Sequence, residues 1–342
     1  MPHPLSILIL YTGGTIGMVK DSESDALKPL DFKHIEEEIP ELRKFDHDLS
    51  WLGMEPILDS SNIQPENWIH LARIIVDRFH EYDGFVVLHG TDTLAYSASA
   101  LSFILQGLQK PIIFTGSQLP IGLIRTDGRE NLISAIEMAA ARDGKEPMVP
   151  GVGIYFENQL FQGNRTTKYS AEDFNAFVSP NYPVLAESGV HLKFNKKAIY
   201  RPSANSELQF YDRLCTDAGI LKLFPGIPES VVSAFLNGNR LKAVVLETYG
   251  SGNAPMQDWF LEHLRVFIEN GGIVLNVTQC LAGRVEQGRY ETSQTLKEVG
   301  VVGGADITTE AAITKLMHLL GQNYDHEQLR FFLNTSISGE FN

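Results

Sequence analysis

The sequence predicts an α/β protein of two layered domains, the larger N-terminal one built on a mostly parallel sheet flanked by helices. Short apolar runs, such as SILILY at 6–11 and GFVVL at 84–88, alternate with segments of helical periodicity. These runs are continuously apolar, which is typical of strands buried on both faces of a parallel sheet. The length of 342 residues favours two domains, since a domain usually holds about 100–200 residues.

Strands and helices alternate in the predicted N-terminal domain, to which we assign residues 1–190. The predicted strands lie at 6–11, 84–88 and 111–115, and the predicted helices at 68–82, 94–105 and 128–141. In the helix at 94–105, apolar residues recur three or four positions apart, which places them on one face. We expect this domain to carry the active-site loops.

A linker and a smaller C-terminal α/β domain are predicted to follow. From about residue 179 to residue 212 the chain is rich in Pro, Asn, Ser and Lys and shows little periodicity, which is typical of a linker, and we assign the linker to 191–212. Pro228 at a helix start and Gly321 just past a helix end mark helix bounds in the second domain. Within 213–342 we predict strands at 220–223, 243–246 and 273–277, and helices at 228–236, 256–269 and 308–320.

The composition excludes several classes of function. The formal net charge of −14, from 42 acidic and 28 basic residues spread along the chain, disfavours nucleic acid as a partner, because phosphate binding needs clustered Lys and Arg. No apolar run approaches the roughly 20 residues of a membrane span, and MPHPLSILIL lacks the cationic start of a signal peptide. Only two cysteines are present, so we expect a cytoplasmic protein.

The sequence gives no sign of a metal or a cofactor. Its ten histidines show neither HExxH nor another paired-ligand spacing. The nucleotide-binding patterns GxGxxG and GxxxxGK[ST] are absent from the glycine turn after the first strand. We therefore expect a site without metal and without cofactor.

Glycine turns with hydroxyl residues follow the three predicted N-terminal strands: TGGT at 12–15, HGTDT at 89–93 and TGSQ at 115–118. In a parallel sheet the carboxyl ends of the strands meet at one edge, where ligands bind. Taken singly, each threonine or aspartate is an ordinary helix N-cap. Together they predict a threonine nucleophile, which needs an activating partner such as a lysine near Asp92.

Seven motifs resemble those of the bacterial L-asparaginases, and their details are most similar to the cytoplasmic type I branch. TGGTIGM and HGTDT look like the two signature motifs of that family. The resemblance runs nearly end to end through DSSNI at 59–63, TGSQ at 115–118, GNRTTK at 163–168, YGSGNAP at 249–255 and NVTQC at 276–280.

The resemblance implies a hydrolase that converts L-asparagine to L-aspartate and ammonia. Thr15 would attack the side-chain amide carbon to form an acyl-enzyme, and Thr91, Asp92 and Lys168 would form a second triad. Which threonine attacks first stays open. The substrate-binding residues that the resemblance implies are Gly14, Asp59, Ser60, Ser61, Gly90, Ser117 and Asn253.

Asn253 carries two interpretations, since it lies in a glycine-rich stretch that could simply form a turn. In the family the matching Asn reaches the active site of a neighbouring subunit, which implies a homodimer or a homotetramer.

The sequence also departs from the family, because the loop at 18–30 lacks the tyrosine that assists the first threonine. Either another residue closes the site or that role is weaker here; the polar residues 21–25 suit a lid or a plain loop.

A second departure concerns regulation. Some type I members are activated by asparagine at a site built partly by an Arg and a Cys. Here Thr167 and Cys280 are retained, but Glu247 stands where that Arg would be. A carboxylate cannot bind the substrate carboxylate as an Arg does, so we predict weak or absent activation by substrate.

Three alternatives remain beside the asparaginase. A glutaminase or the asparaginase-like subunit of a tRNA amidotransferase would use the same scaffold, and a non-catalytic amino-acid sensor would keep the pocket without turnover. The acidic balance and the lack of an added tRNA-binding domain count against the amidotransferase. The intact threonines, acid and lysine count against the sensor, whereas the missing tyrosine keeps it open.

Overall fold

The structure is a computed structural model that describes residues 4–20, 27–29, 35–203, 206–238, 240–288 and 291–342. It divides into two compact units, Met1–Phe210 and Tyr211–Asn342. Each unit holds a parallel sheet with helices, so the predicted α/β fold class is confirmed. No helix among the described residues has both the length and the apolar character needed to cross a bilayer.

The first unit contains sixteen described strands and four described α-helices. The strands are β1 Ser6–Tyr11, β2 Met18–Lys20, β3 Leu27–Pro29, β4 Asp48–Gly53, β5 Gly84–Leu88, β6 Leu105–Gln106, β7 Pro111–Thr115, β8 Arg142–Asp143, β9 Glu146–Pro147, β10 Gly151–Phe156, β11 Gln159–Gln162, β12 Thr167–Lys168, β13 Phe177–Val178, β14 Ala186–Glu187, β15 Lys193–Phe194 and β16 Gln209–Phe210. The helices are α1 Ile35–Glu38, α2 Pro65–Asp77, α3 Leu94–Ile104 and α4 Gly128–Ala140.

The main sheet of this unit joins eight of the described strands in the order β15-β14-β11-β10-β7-β5-β1-β4. The run from β10 to β4 is parallel, whereas β11, β14 and β15 are antiparallel to their neighbours. Tyr11, Leu88 and Thr115 are in register at the carboxyl ends of β1, β5 and β7. The three glycine turns therefore leave the sheet side by side.

The sheet interior explains why three strands could be predicted from the sequence. Every residue of β5 and β7 is buried, as are five of the six in β1. Strands covered on both faces must be apolar throughout, and all three observed ranges match the predicted ones. The edge strand β4, with its half-exposed DLSWLG, and the glycine-containing β10 lack this pattern, and the sequence pattern did not predict either.

Helix α2 begins and ends earlier than predicted at 68–82. Its first residue is Pro65, and the Gln64 and Asn67 side chains form a capping box around that start. Past its end, the Lys110 ammonium donates to the carbonyls of Phe79 at 2.5 Å and Tyr82 at 2.7 Å. These carbonyls are thus bound to a distant lysine, so the chain turns where periodicity alone suggested more helix.

The second unit contains a four-stranded parallel sheet among its described residues. Its strands, in spatial order, are β17 Ala218–Lys222, β18 Ala243–Thr248, β19 Ile273–Thr278 and β20 Val302–Gly303. Its helices are α5 Glu229–Leu236, α6 Asp258–Glu269, α7 Glu291–Val299, α8 Thr309–Gly321 and α9 His326–Leu333. The sequence pattern did not predict α7 or α9. The predicted linker at 191–212 includes β15 and β16, which hydrogen-bond within the first unit.

A buried ion pair holds residues 335–342 against α8. The Lys315 ammonium lies 2.6 Å from a Glu340 carboxylate oxygen, and the two side chains are 1% and 0% exposed. Lys315 also donates to the Thr335 carbonyl at 2.8 Å, while Glu340 accepts from the main-chain N–H of Ser338 at 2.8 Å. Burial lowers the pKa of Lys315, and the neighbouring carboxylate opposes that shift.

We expect Lys315→Met to lower the free energy of unfolding by about 3–5 kcal/mol, because it leaves the Glu340 carboxylate buried without its cation. Denaturant unfolding of the full chain measures this change. The matched control is Lys196→Met, which removes a lysine whose ion pair with Asp143 is mostly exposed. Equal stability of both variants would show that Glu340 does not depend on the Lys315 cation.

Candidate active site

The three glycine turns pack directly on one another at the carboxyl edge of the main sheet. A Cβ on Gly14 would lie 2.4 Å from the Gly90 Cα, and one on Gly116 would lie 2.5 Å from the His89 carbonyl oxygen. A Cβ on Gly13 would lie 1.8 Å from the Leu58 carbonyl oxygen. Only residues without a side chain permit these approaches. The contacts bring Thr15 and Thr91, each one residue beyond a contacting glycine, onto adjoining loops.

Thr15 begins a short 3-10 helix, Thr15–Gly17, that leaves it half-buried. Gly14 precedes it at φ 88° and ψ 169°, a region that is open essentially to glycine alone. The Tyr11 hydroxyl donates to the Gly14 carbonyl at 3.2 Å from beneath the turn. Burial raises the pKa of Tyr11 to about 12, so it stays a neutral donor.

Lys168 joins the second threonine to its neighbouring acid. Its ammonium donates to the Thr91 hydroxyl at 2.9 Å and to the Asp92 carboxylate at 2.7 Å. Lys168 ends β12, which pairs with β13, and its side chain is only 16% exposed. The loop at 89–93 and the hairpin of β12 and β13 therefore meet through one charged group.

The segment at 59–62 supplies a carboxylate and two hydroxyls beside the second turn. Asp59 caps the 3-10 helix Ser60–Asn62 by accepting from the Ser61 N–H at 2.8 Å and the Ser61 hydroxyl at 2.6 Å. These hydrogen bonds hold the pKa of Asp59 below its usual value. Ser60 is buried against Gly90, and its carbonyl accepts from the Thr93 hydroxyl at 2.7 Å. The segment is thus tied to HGTDT.

His89 is a structural residue of this edge rather than a base. Its Nδ1 lies 2.7 Å from the Gly90 carbonyl, which can only accept, so Nδ1 carries the hydrogen. Its Nε2 then accepts from the Ser97 hydroxyl at 2.9 Å, and Ser97 accepts from the Trp68 indole at 2.9 Å. Burial lowers the pKa of His89 to about 4, which keeps the ring neutral.

Asp127, which shapes the third turn, was not among the residues predicted from the sequence. Its buried carboxylate accepts from the main-chain N–H groups of Gln118 at 2.9 Å and Leu119 at 3.1 Å. The Ser117 hydroxyl donates to the Leu119 carbonyl at 2.6 Å, so its hydrogen is engaged within the turn. The motif TGSQ marked the turn, but nothing nearby in sequence pointed to an acid nine residues on.

Gln118 is a second residue that the sequence did not assign to the site. The Thr91 hydroxyl donates to its side-chain carbonyl oxygen at 3.3 Å, and its side-chain amide donates to the Asp173 carbonyl at 3.1 Å. The structure therefore brings together, in the first unit, the three glycine turns, Lys168 and the segment at 59–62, with Gln118 on the third turn.

Asn253 lies in the second unit, where it closes a tight turn. Its main chain exchanges hydrogen bonds with Tyr249, at 2.9 Å in each direction. The buried Asn276 amide donates to the Gly252 carbonyl at 3.2 Å, and the Thr278 hydroxyl donates to the Gly250 carbonyl at 2.6 Å. These contacts form a turn. The role of Asn253 toward a neighbouring subunit stays a prediction.

Glu247, also in the second unit, is held by partners within the same chain. Its carboxylate accepts from the Thr309 hydroxyl at 2.7 Å, at the first residue of α8, and lies 3.3 Å from the Lys222 ammonium. Both partners stabilise an anion, because Lys222 is a cation and the helix start at Thr309 carries partial positive charge. Cys280 is exposed with its thiol free, and Thr167 lies on β12 of the first unit.

The predicted lid residues 21–25 lie outside the described residues. The strands β2 and β3, which flank these residues in the sequence, are paired antiparallel. In the part of the chain that the structure describes, no group of three or more His, Cys, Asp or Glu side chains is arranged to hold a metal ion.

Comparison with known proteins gives matches along nearly the whole chain. The family model "Asparaginase, N-terminal" matches residues 6–200, and "Glutaminase/Asparaginase C-terminal domain" matches residues 218–333. L-asparaginase 1 of Escherichia coli is 41% identical, over 98% of this chain and 97% of that protein. The crystal structure of L-asparaginase I from Vibrio cholerae is 36% identical with a TM-score of 0.88 and covers 99% of both chains. The thermostable L-asparaginase from Thermococcus kodakarensis is 33% identical with a TM-score of 0.90, again over 99% of both chains.

We expect Gly14→Ala to lower the free energy of unfolding by at least about 3 kcal/mol, because a methyl group would force the first two turns apart in addition to the backbone cost. Gly144→Ala is the matched control, since Gly144 also has positive φ, at 66°, but a Cβ there meets no atom within 4 Å. The control is expected to lose only about 1–2 kcal/mol. Chemical denaturation of both variants measures the difference, and equal losses would show that the close approach is not the cause.

Proposed function

Because the chain belongs to the asparaginase family, we propose that it hydrolyses the side-chain amide of L-asparagine to give L-aspartate and ammonia through a threonine nucleophile. The observation that supports this most directly is the Lys168 ammonium, which bridges the Thr91 hydroxyl and the Asp92 carboxylate at the sheet edge that also carries Thr15. Nearly full-length similarity to proteins named L-asparaginase supports the substrate.

The proposed reaction proceeds in two balanced steps. In the first, the Thr15 oxygen bonds to the amide carbon, the carbon–nitrogen bond breaks, and the hydroxyl proton leaves with the amine as ammonia. In the second, water bonds to the acyl carbon, the ester bond to Thr15 breaks, and one water proton returns to the threonine. The products are L-aspartate and the free hydroxyl.

The proposed part of the second triad is electrostatic. Lys168 places a positive charge 2.9 Å from the Thr91 oxygen, which fixes the orientation of this hydroxyl and would stabilise negative charge that develops near it in the transition state. Asp92 fixes the ammonium by a charge-assisted hydrogen bond. Thr91 could then act in either step, which leaves open the order of the two threonines.

Substrate recognition is assigned to the segment at 59–61 and to the glycine turns. The lowered pKa of Asp59 keeps its carboxylate charged, as binding an α-ammonium group requires. The Ser60 hydroxyl suits the α-carboxylate, and the Ser61 hydroxyl would have to turn from Asp59, to which it donates in the structure, in order to donate to that group. The main chain at Gly14, Gly90 and Ser117 would supply the N–H donors that stabilise the oxyanion.

Assembly and location complete the proposal. A homodimer or homotetramer is proposed because the residue matching Asn253 completes a neighbouring active site in the family that the chain belongs to. Both cysteines are free, which fits a reducing compartment such as the cytoplasm. Glutamine hydrolysis is the second candidate activity, because one extra methylene in a pocket changes discrimination by only about 1–3 kcal/mol.

Thr15→Ala is expected to lower asparagine turnover by at least about 1,000-fold, because it removes the attacking oxygen. Lys168→Met is expected to cost about 100–1,000-fold, since it removes a charge that stabilises the transition state. Ammonia release from L-asparagine and L-glutamine measures both variants. Lys196→Met, which alters an exposed lysine of the same unit, serves as the control. Wild-type binding of asparagine without any ammonia release would overturn the enzyme assignment in favour of a sensor.

A further part of the proposal is that substrate activates the enzyme at a second site only weakly or not at all. Glu247 is committed to Lys222 and Thr309, and its negative charge repels a substrate carboxylate. We therefore expect a hyperbolic dependence of velocity on asparagine concentration, unchanged in Cys280→Ser. Cys215→Ser is the control thiol variant. Sigmoidal curves that become hyperbolic in Cys280→Ser alone would contradict this expectation.

A further inference from the structure

Gln118 contacts the Thr91 hydroxyl in addition to Lys168. Its Oε1 lies 3.3 Å from the Thr91 oxygen, and its Nε2 lies 3.1 Å from the Asp173 carbonyl oxygen. Its main-chain N–H is bound by the buried Asp127 carboxylate at 2.9 Å. Both ends of this glutamine are therefore fixed.

The chemistry of these partners decides the direction of each hydrogen bond. The Asp173 carbonyl can only accept, so the amide nitrogen of Gln118 must face it and the amide oxygen must face Thr91. That oxygen can also only accept, so the Thr91 hydroxyl donates its hydrogen to Gln118. The Lys168 ammonium has no acceptor, and it donates to the Thr91 oxygen at 2.9 Å.

A hydroxyl group has one hydrogen to donate and two lone pairs to accept. In Thr91 the hydrogen is given to Gln118 and one lone pair receives the Lys168 hydrogen. One lone pair remains for a third partner, and Thr91 is half-buried rather than enclosed. Toward a bound molecule, this hydroxyl can therefore act only as an acceptor.

We propose that Gln118 is a specificity-determining positioning residue, which holds the Thr91 hydrogen away from the substrate so that the site accepts a primary amide and disfavours the carboxylate of the product. An amide or a water molecule brings N–H or O–H hydrogens to the free lone pair, whereas a carboxylate brings only acceptor oxygens. This inference rests on the proposed hydrolysis of asparagine, and it explains how aspartate could be released once formed.

Segment 170–173 supports the position of Gln118. The Ser170 hydroxyl oxygen accepts from the Asp173 N–H at 3.0 Å and its hydrogen is donated to the Asp173 carboxylate at 3.0 Å. This small turn aims the Asp173 carbonyl at the Gln118 amide. Without that carbonyl, the amide could rotate and present its nitrogen to Thr91, which would release the threonine hydrogen.

The test compares Gln118→Met with wild type through two constants, the KM for L-asparagine and the inhibition constant of L-aspartate at the same neutral pH. Methionine matches the glutamine in length and has no strong acceptor, so the Thr91 hydrogen becomes free to turn toward the ligand. We expect aspartate to bind about tenfold more tightly relative to asparagine, and kcat to fall about tenfold. A merely structural role would raise both constants together.

Two further variants make the result decisive. Gln118→Glu loses the donation to the Asp173 carbonyl but keeps an acceptor for Thr91, so we expect its kcat to exceed that of Gln118→Met. Gln109→Met is the control, because Gln109 also donates its amide to a main-chain carbonyl, that of Ser203 at 2.9 Å. Among the described residues, no hydroxyl group hydrogen-bonds to the Gln109 side chain. Melting temperatures close to that of wild type show that the variants fold.

The outcomes separate this inference from the proposed function. If wild type hydrolyses asparagine and Gln118→Met leaves the ratio of the two constants unchanged, the inference alone is overturned. Equal kcat values for Gln118→Met and Gln118→Glu would also overturn it, since the acceptor would then be irrelevant. If wild type releases no ammonia from asparagine, the proposed function fails and this inference fails with it.

Discussion

The contact between the main chains at Gly14 and Gly90 is the constraint on which the site depends. Parallel strands bring their carboxyl ends to one edge, but side chains would normally keep the following turns apart. Here a Cβ at Gly14 has no room, and the φ and ψ of that residue belong to glycine. The two threonines share one edge because the residues before them have no side chains.

Hydrogen bonds of defined direction then hold the second turn and orient the Thr91 hydroxyl. His89 is neutral and buried, and its ring carries a chain of hydrogen bonds from Trp68 to the Gly90 carbonyl, which supports the second turn from below. At the next residue of the turn, the Thr91 hydroxyl oxygen accepts a hydrogen bond from Lys168, and its hydrogen is donated to Gln118. The groups that support the turn are therefore distinct from those that hydrogen-bond to the Thr91 hydroxyl.

The second unit uses its charges for different purposes. Lys315 and Glu340 are fully buried as a pair, and their hydrogen bonds organise residues 335–342 rather than a ligand site. Glu247 sits at the start of α8 with Lys222 and Thr309, where the carboxylate is stabilised by a cation and by the helix dipole. In each case the partner explains the charge without a bound molecule.

By itself, the sequence determined the α/β class, the ranges of β1, β5 and β7, and the motifs that hold both threonines, because doubly buried strands are continuously apolar and glycine turns are local. The family resemblance also implied Lys168 as a partner of Thr91, but only the tertiary structure showed the hydrogen bonds of the Thr91 hydroxyl and of the turns around it. Lys168 is 77 positions from Thr91, and Asp127 and Gln118 act through carboxylate and amide atoms whose partners no local spacing reveals. The edge strand β4 also escaped detection, since its half-exposed residues are not continuously apolar. Hydrogen bonds between distant residues depend on how the elements pack, whereas the burial of a strand on both faces requires apolar residues within that strand's own sequence.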